Sequence, residues 1–201
     1  MAYREFSLIQ VKRQFKLQEK EQPLFPNVQP VSLSNWLTES LDMGIKLALT
    51  SSSEKARSEF IVAPILLELE KNNVDHVSIF SGIRLDVDEA SGLKGECDFI
   101  VSRKPLQSSL EAPIFCLVEA KKNDISDGLG QCIAQMLGAQ KFNEINQETI
   151  NTIYGCVTTG EAWQFLKLTG NFICFDQKRY YLSELNQILG ILQFLIDESG
   201  N

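Results

Sequence analysis

Glu119 and Lys121 stand two residues apart at the end of an apolar run, FCLVEAKKND, from Phe115 to Asp124. Side chains two apart on a strand share a face. Phe115, Leu117, Glu119 and Lys121 are therefore expected on one face, with Cys116, Val118 and Ala120 on the other. A buried, unpaired carboxylate is costly or titrates to neutral, so two charges ending such a strand need a reason. One reason is a surface ion pair where the strand meets water, which contributes little. The other is a hard-cation site. Asp98, in GECDFIV on a neighbouring strand, and Glu119 could converge on one divalent cation. Oxygen ligands with open water positions suit Mg²⁺. Lys121 beside the cation would orient or activate a water and stabilise a phosphorane-like transition state.

These residues need strands and helices to position them. LSNWLTESLDMGIKLAL has Leu37, Leu41, Ile45 and Leu49 at a spacing of four, which predicts a helix capped by Ser34. SSSEKARSEFIVAPILLELEKNN predicts a second helix, capped by Ser53, with Glu54 in its first turn and a kink at Pro64. Its inner face would carry Phe60, Ile61, Ile65 and Leu69, with Glu59 beside that face. The period then changes to two. HVSIFSGIRLDV and GECDFIVSR flank a loop rich in turn residues and predict an antiparallel hairpin. PIFCLVEAK is a third strand. A helix follows from about Ser126 to Asn146, then two strands around Gly160, short strands in NFICFDQKRYYL, and a closing helix capped by Ser183. The fold class is α/β (α+β mixed), a central mixed sheet flanked by helices. Residues 5–20 alternate loosely and read as one or two strands, so 1–33 is expected to be a β-hairpin or extended arm.

Composition narrows the chemistry. The 201 residues suffice for one well-buried core and are few for two domains. There are five cysteines without a CxxC and a single histidine, His76, so neither a zinc cluster nor a Ser–His triad is expected. No apolar stretch is long enough for a membrane span, and MAYREFSLIQVKRQF does not read as a signal peptide, so the expected compartment is the cytoplasm. The net charge of −7 argues against a general nucleic-acid binder.

Asp98 followed by Glu119-Ala120-Lys121, after a helix bearing Glu59, resembles the PD-(D/E)XK nuclease superfamily. That signature places an acid on the second core strand and (D/E)-x-K on the third. Glu-Cys-Asp stands where the family name has Pro-Asp. LGQCIAQMLGAQKF resembles the following helix of branches that place a glutamine near the site. GCVTTGEAWQFLKL is similar to the next strand–turn–strand in N-terminal nuclease domains of type I restriction subunits. The resemblance spans about residues 53–170, the expected core of a single nuclease-like domain over 1–201. It implies a restriction-endonuclease-like fold and Mg²⁺- or Mn²⁺-dependent hydrolysis of DNA phosphodiesters. Asp98, Glu119 and the Ala120 carbonyl would bind the metal, and Glu59 would hold it directly or through water. Lys121 would position the attacking water, and Gln131 would contact the phosphate or the lysine. Gln135 shares a helical face with Gln131 at i, i+4. The acidic balance implies that a homodimer or partner subunit adds positive surface for DNA. The alternative is a catalytically silent module of the same fold, serving protein or nucleic-acid interaction.

Overall fold

In the computed structural model, which describes residues 1–51 and 53–199, eight strands form one mixed sheet with helices on both faces. The strands are β1 (Gln18–Gln22), β2 (Ser78–Arg84), β3 (Glu96–Ser102), β4 (Ile114–Ala120), β5 (Thr152–Thr158), β6 (Ala162–Thr169), β7 (Phe172–Asp176) and β8 (Tyr180–Tyr181). Their spatial order is β1-β7-β6-β5-β4-β3-β2, with β8 paired to β6. The β2–β3 and β3–β4 pairs are antiparallel, whereas β4 and β5 run parallel. A parallel pair needs a crossover. Here the crossover is the helix Ser126–Ile145. The expected mixed α/β sheet flanked by helices is what the chain forms.

Two apolar layers sandwich the sheet. One joins Leu37, Ile61, Ile65, Val118, Trp163 and Ile191, and the other joins Val11, Leu117, Ile133, Met136, Val157 and Leu166. The helices are α1 (Leu8–Gln14), α2 (Asn35–Ser51), α3 (Glu54–Arg57), α4 (Ala63–Asn72), α5 (Ser126–Ile145) and α6 (Leu185–Glu198). Ser53 caps α3 by accepting from Ala56 N–H at 3.0 Å, and Ser34 accepts from Leu37 N–H at 3.2 Å. Between α3 and α4 the chain makes a π turn over Ser58–Val62, immediately before Pro64. Pro64 has no N–H for the Phe60 carbonyl, so regular helix bonding fails there. That carbonyl instead lies against Gly44 of α2, where a Cβ would collide with it. The five cysteines are buried free thiols. Among the described residues, no helix is long and apolar enough to cross a membrane.

Three local expectations are corrected. Residues 8–14 are helical rather than extended. Ser7 and Gln10 form a reciprocal capping box, and Val11 is the buried face of the helix. Only β1 is a strand in this region, an edge strand whose QEKEQ side chains are all exposed, as suits an unpaired outer edge. Ser183 is not the cap of the last helix. It lies in a 3-10 turn, Leu182–Glu184, and Glu184 occupies the cap position. Phe115 does not share a face with Leu117. Val101 pairs with Cys116 and Ser102 with Ile114, leaving Phe115 as the extra residue of a bulge. A bulge shifts the alternation by one. Phe115 therefore packs with Cys116 and Val118 in the layer of α2, α4 and α6, and Ile114 joins Leu117 on the α5 side.

Candidate functional site

The β3–β4 ladder pairs Phe99 with Val118 as its last rung. One step further, the register brings Asp98 opposite Glu119. The freed N–H of Ala120 donates to Asp98 Oδ2 at 2.8 Å. The Asp98 carboxyl thus sits beside the end of β4 that carries Glu119, and both line the same cleft. Glu119 is 1% exposed, although it ends a strand.

Lys121 Nζ donates to Glu119 Oε1 at 2.7 Å and to Gln131 Oε1 at 3.1 Å. Gln135 Nε2 donates to the other Glu119 oxygen at 2.7 Å. Two residues of strand advance about 6.7 Å. Four residues of α-helix advance about 6 Å. The Glu119–Lys121 step on β4 thus matches the Gln135–Gln131 step on α5, and each charged group meets one amide. Helix and strand approach this closely because Gly128 carries no side chain. A Cβ there would come within 2.6 Å of Val157 and 3.0 Å of the Lys121 stem. The backbone of Lys121 is fixed separately, its N–H donating to the Thr158 carbonyl of β5 at 2.7 Å.

The electrostatics follow from burial. Desolvation, then the charge of Asp98, pushes the Glu119 carboxyl up to about 8, against the opposing pull of Lys121 and Gln135. Burial also raises Asp98, opposed by the Ala120 N–H and Lys121. For Lys121, burial works against the ammonium, but the carboxylates of Glu119, Glu54 and Asp98 outweigh it and hold its pKa above the ordinary lysine value.

The cleft around these groups has a volume of about 480 Å³. Asp98, Glu119, Lys121 and Gln131 line it together with Glu54, and the structure therefore brings four of the proposed residues to one place. Ala120 sits buried between Glu119 and Lys121. Glu59 lies elsewhere: it is half exposed, pairs with Lys55 at 3.7 Å and does not line the cleft. Glu59 stands five positions beyond Glu54, past the end of α3 and inside the π turn, and only Glu54 lines the cleft. Glu54 takes that position because Arg57 anchors α3 to the β5–β6 turn, donating to the Thr159 carbonyl at 2.8 Å and pairing with Glu161. Glu54→Ala is expected to lower divalent-cation affinity about tenfold, the low end for groups that orient a metal site. Glu59→Ala is expected to leave it unchanged. Titration with Mn²⁺ by calorimetry separates the two.

Glu54 and Gln135 are the residues that sequence reasoning left out of the site. The signal for Gln135 was its i, i+4 spacing from Gln131; for Glu54 only the anchoring by Arg57 decides. Comparison with protein-family models, with curated proteins and with solved structures returns no match to this chain. Among the described residues, no three His, Cys, Asp or Glu side chains gather as a metal-binding cluster. The donor set is instead two neighbouring carboxyls, both raised chiefly by burial, with the charge of Asp98 raising Glu119 further. Mg²⁺ is commonly held by one or two carboxylates, keeping several waters and taking oxygens from a substrate phosphate. The two carboxyls fit such an ion.

Proposed function

We propose that the protein is a metal-dependent DNA nuclease with a restriction-endonuclease-like core, hydrolysing phosphodiester bonds with Mg²⁺ or Mn²⁺. The observation that supports this reading best is Asp98 bonded to the Ala120 N–H beside Glu119, with Lys121 hydrogen-bonded to Glu119, inside one cleft. A surface ion pair would not be built this way, since Glu119 is almost fully buried. Asp98, Glu119 and the Ala120 carbonyl would hold the cation. When bound, the cation supplies Lewis-acid stabilisation of the charge that builds on the phosphoryl oxygens.

The chain's own groups do the rest. A water oxygen attacks phosphorus and loses a proton to solvent, the bond to the leaving sugar oxygen breaks, and that oxygen takes up a proton from solvent. The Lys121 ammonium, held by Glu119 and Gln131, orients the water and offsets charge in the transition state. Gln135 keeps the second Glu119 oxygen from rotating away. Low dielectric around Glu119 strengthens each of these interactions.

The test is incubation with plasmid and short duplex DNA in Mg²⁺ or Mn²⁺. Asp98→Ala and Lys121→Ala are each expected to slow cleavage by at least about a hundredfold, the magnitude of losing one preorganised electrostatic group. Cleavage that both substitutions leave untouched would sink the assignment.

A further inference from the structure

The segment before α1 takes no part in the acid–lysine chemistry, yet Ala2, Tyr3 and Arg4 line the same cleft as Asp98, Glu119 and Lys121. It is held there from three sides. Tyr3 is 1% exposed, and its N–H donates to the Lys94 carbonyl at 2.9 Å in the β2–β3 loop. Its hydroxyl reaches α5 at Gly138, where a Cβ would collide with it. At Gly130 the missing side chain lets the backbone of Phe6, Ser7 and Leu8 pack on α5. The 3-10 turn Tyr3–Glu5 closes on itself, with Glu5 accepting from Ala2 N–H at 2.5 Å. The turn is thus a wall of the cleft, clamped to α5 and to the β2–β3 loop.

The cations of this cleft differ in one respect. Arg84 is forked onto Asp86 by two bonds of 3.0 Å, Lys94 pairs with Glu89 at 3.3 Å, and Lys121 pairs with Glu119. Arg4 is exposed beside buried Tyr3 and has no ion-pair or hydrogen-bond partner among the described residues. The same cleft carries Glu54, Glu96, Asp98 and Glu119. A polyanion approaching four carboxyl groups needs an uncompensated cation, and a guanidinium matches phosphate by a planar fork of donors.

We propose that Arg4 is a phosphate-binding residue, presented by the N-terminal turn to the nucleic-acid strand beside the phosphate that is cleaved. The proposal rests on the nuclease reading. It gives the N-terminal segment a role: it carries the substrate contact that the acidic core lacks.

The test is the salt dependence of binding. Full-length Lys121→Ala chain in Mg²⁺ is titrated onto a fluorescein-labelled DNA duplex between about 50 and 200 mM salt, the range over which phosphate contacts show. Arg4→Ala in that background is expected to weaken binding and to reduce the slope of log K against log salt by about 0.9, the value for one phosphate contact. Arg4→Lys is expected to restore the slope, and neither substitution should move the thermal melt. An unchanged slope in Arg4→Ala overturns the proposal while leaving the nuclease reading intact. A lost slope that comes with a lower melting temperature, and that Arg4→Lys does not restore, also overturns it, by making Arg4 structural. If the Lys121→Ala chain with Arg4 intact binds no duplex, the Arg4 proposal is overturned, and plasmid cleavage by wild type then decides the nuclease reading separately.

Discussion

Glu119→Gln is expected to slow DNA cleavage sharply and yet to make the chain more stable than wild type above about pH 8. The activity loss is expected to be a hundred- to a thousandfold, roughly the effect of removing one charge-stabilising group. On the proposed reading, the loss arises because the amide would offer a cation no negative charge. The stability gain has a different origin. Burial and the neighbouring Asp98 raise the Glu119 carboxyl from its ordinary value to about 8 in the folded chain. An acid with a raised folded pKa binds more protons in the native state than in the unfolded state. Stability then falls as pH rises between the two values. The wild-type contribution is fully present below the unfolded pKa and is lost as pH passes about 8.

A glutamine at 119 has no such titration, so its stability is expected to vary less over this range. The local bonding also accommodates it. Lys121 can still donate to the amide oxygen, and the Gln135 carbonyl oxygen, buried without a partner beside Glu119, can turn to accept the new N–H. Urea denaturation of both chains at pH 5 and pH 9 without divalent cation checks the sign. Curves that stay parallel across that range would contradict the burial argument. Added Mn²⁺ is expected to stabilise wild type at pH 9 and leave the variant unmoved, because only wild type retains both carboxylates.

Trp163→Ala is expected to cost about 3–5 kcal/mol, the usual range for emptying a fully buried large aromatic site. Trp163 is completely buried on β6 and pairs in register with Thr158 of β5. Its indole N–H donates to the Gly160 carbonyl at 3.1 Å, across the turn that joins these strands. Gly160 adopts φ +81 there, a conformation that favours glycine, and lies against Ile61 of the π turn.

The consequence reaches the site. Thr158 accepts the Lys121 N–H, and Thr159 accepts from Arg57, which positions α3 and Glu54. One indole therefore braces the turn from which both sides of the cleft are hung. At about 2–4 °C per kcal/mol for a chain of this size, the melting temperature is expected to fall by roughly 6–20 °C. Trp163→Phe is expected to lose much less, since it keeps most of the volume and forfeits the one hydrogen bond. Thermal melts followed by circular dichroism measure both. A Trp163→Ala chain that melts with wild type would show that the turn is held by something else.

Much of this arrangement was legible locally. Period-two hydrophobicity placed Asp98 and Glu119 on strands, and the i, i+4 spacing placed Gln131 and Gln135 on one helix face. These are short-range consequences of backbone geometry, so the sequence carries them directly. The N-terminal helix was also legible, in the Ser7–Gln10 capping box, but the loose alternation around it read more strongly as strand.

The string of residues specifies the chemical groups, their order, and the helix or strand on which most of them ride. Which of them meet is a property of the folded chain. A bulge is a property of two strands together, so Phe115 could change face without any local mark. Glu54 and Glu59 are equally good helix glutamates, and the choice between them came from Arg57 bonding to a turn about a hundred residues away. The depth of Glu119 depends on α5 closing over β4, which the bare backbone of Gly128 permits. Arg4 entered the site through Tyr3, Gly130 and Gly138, whose contacts exist only once the chain is folded. Register, burial and long-range contact are properties of pairs of segments, and a single stretch of sequence specifies only one member of each pair.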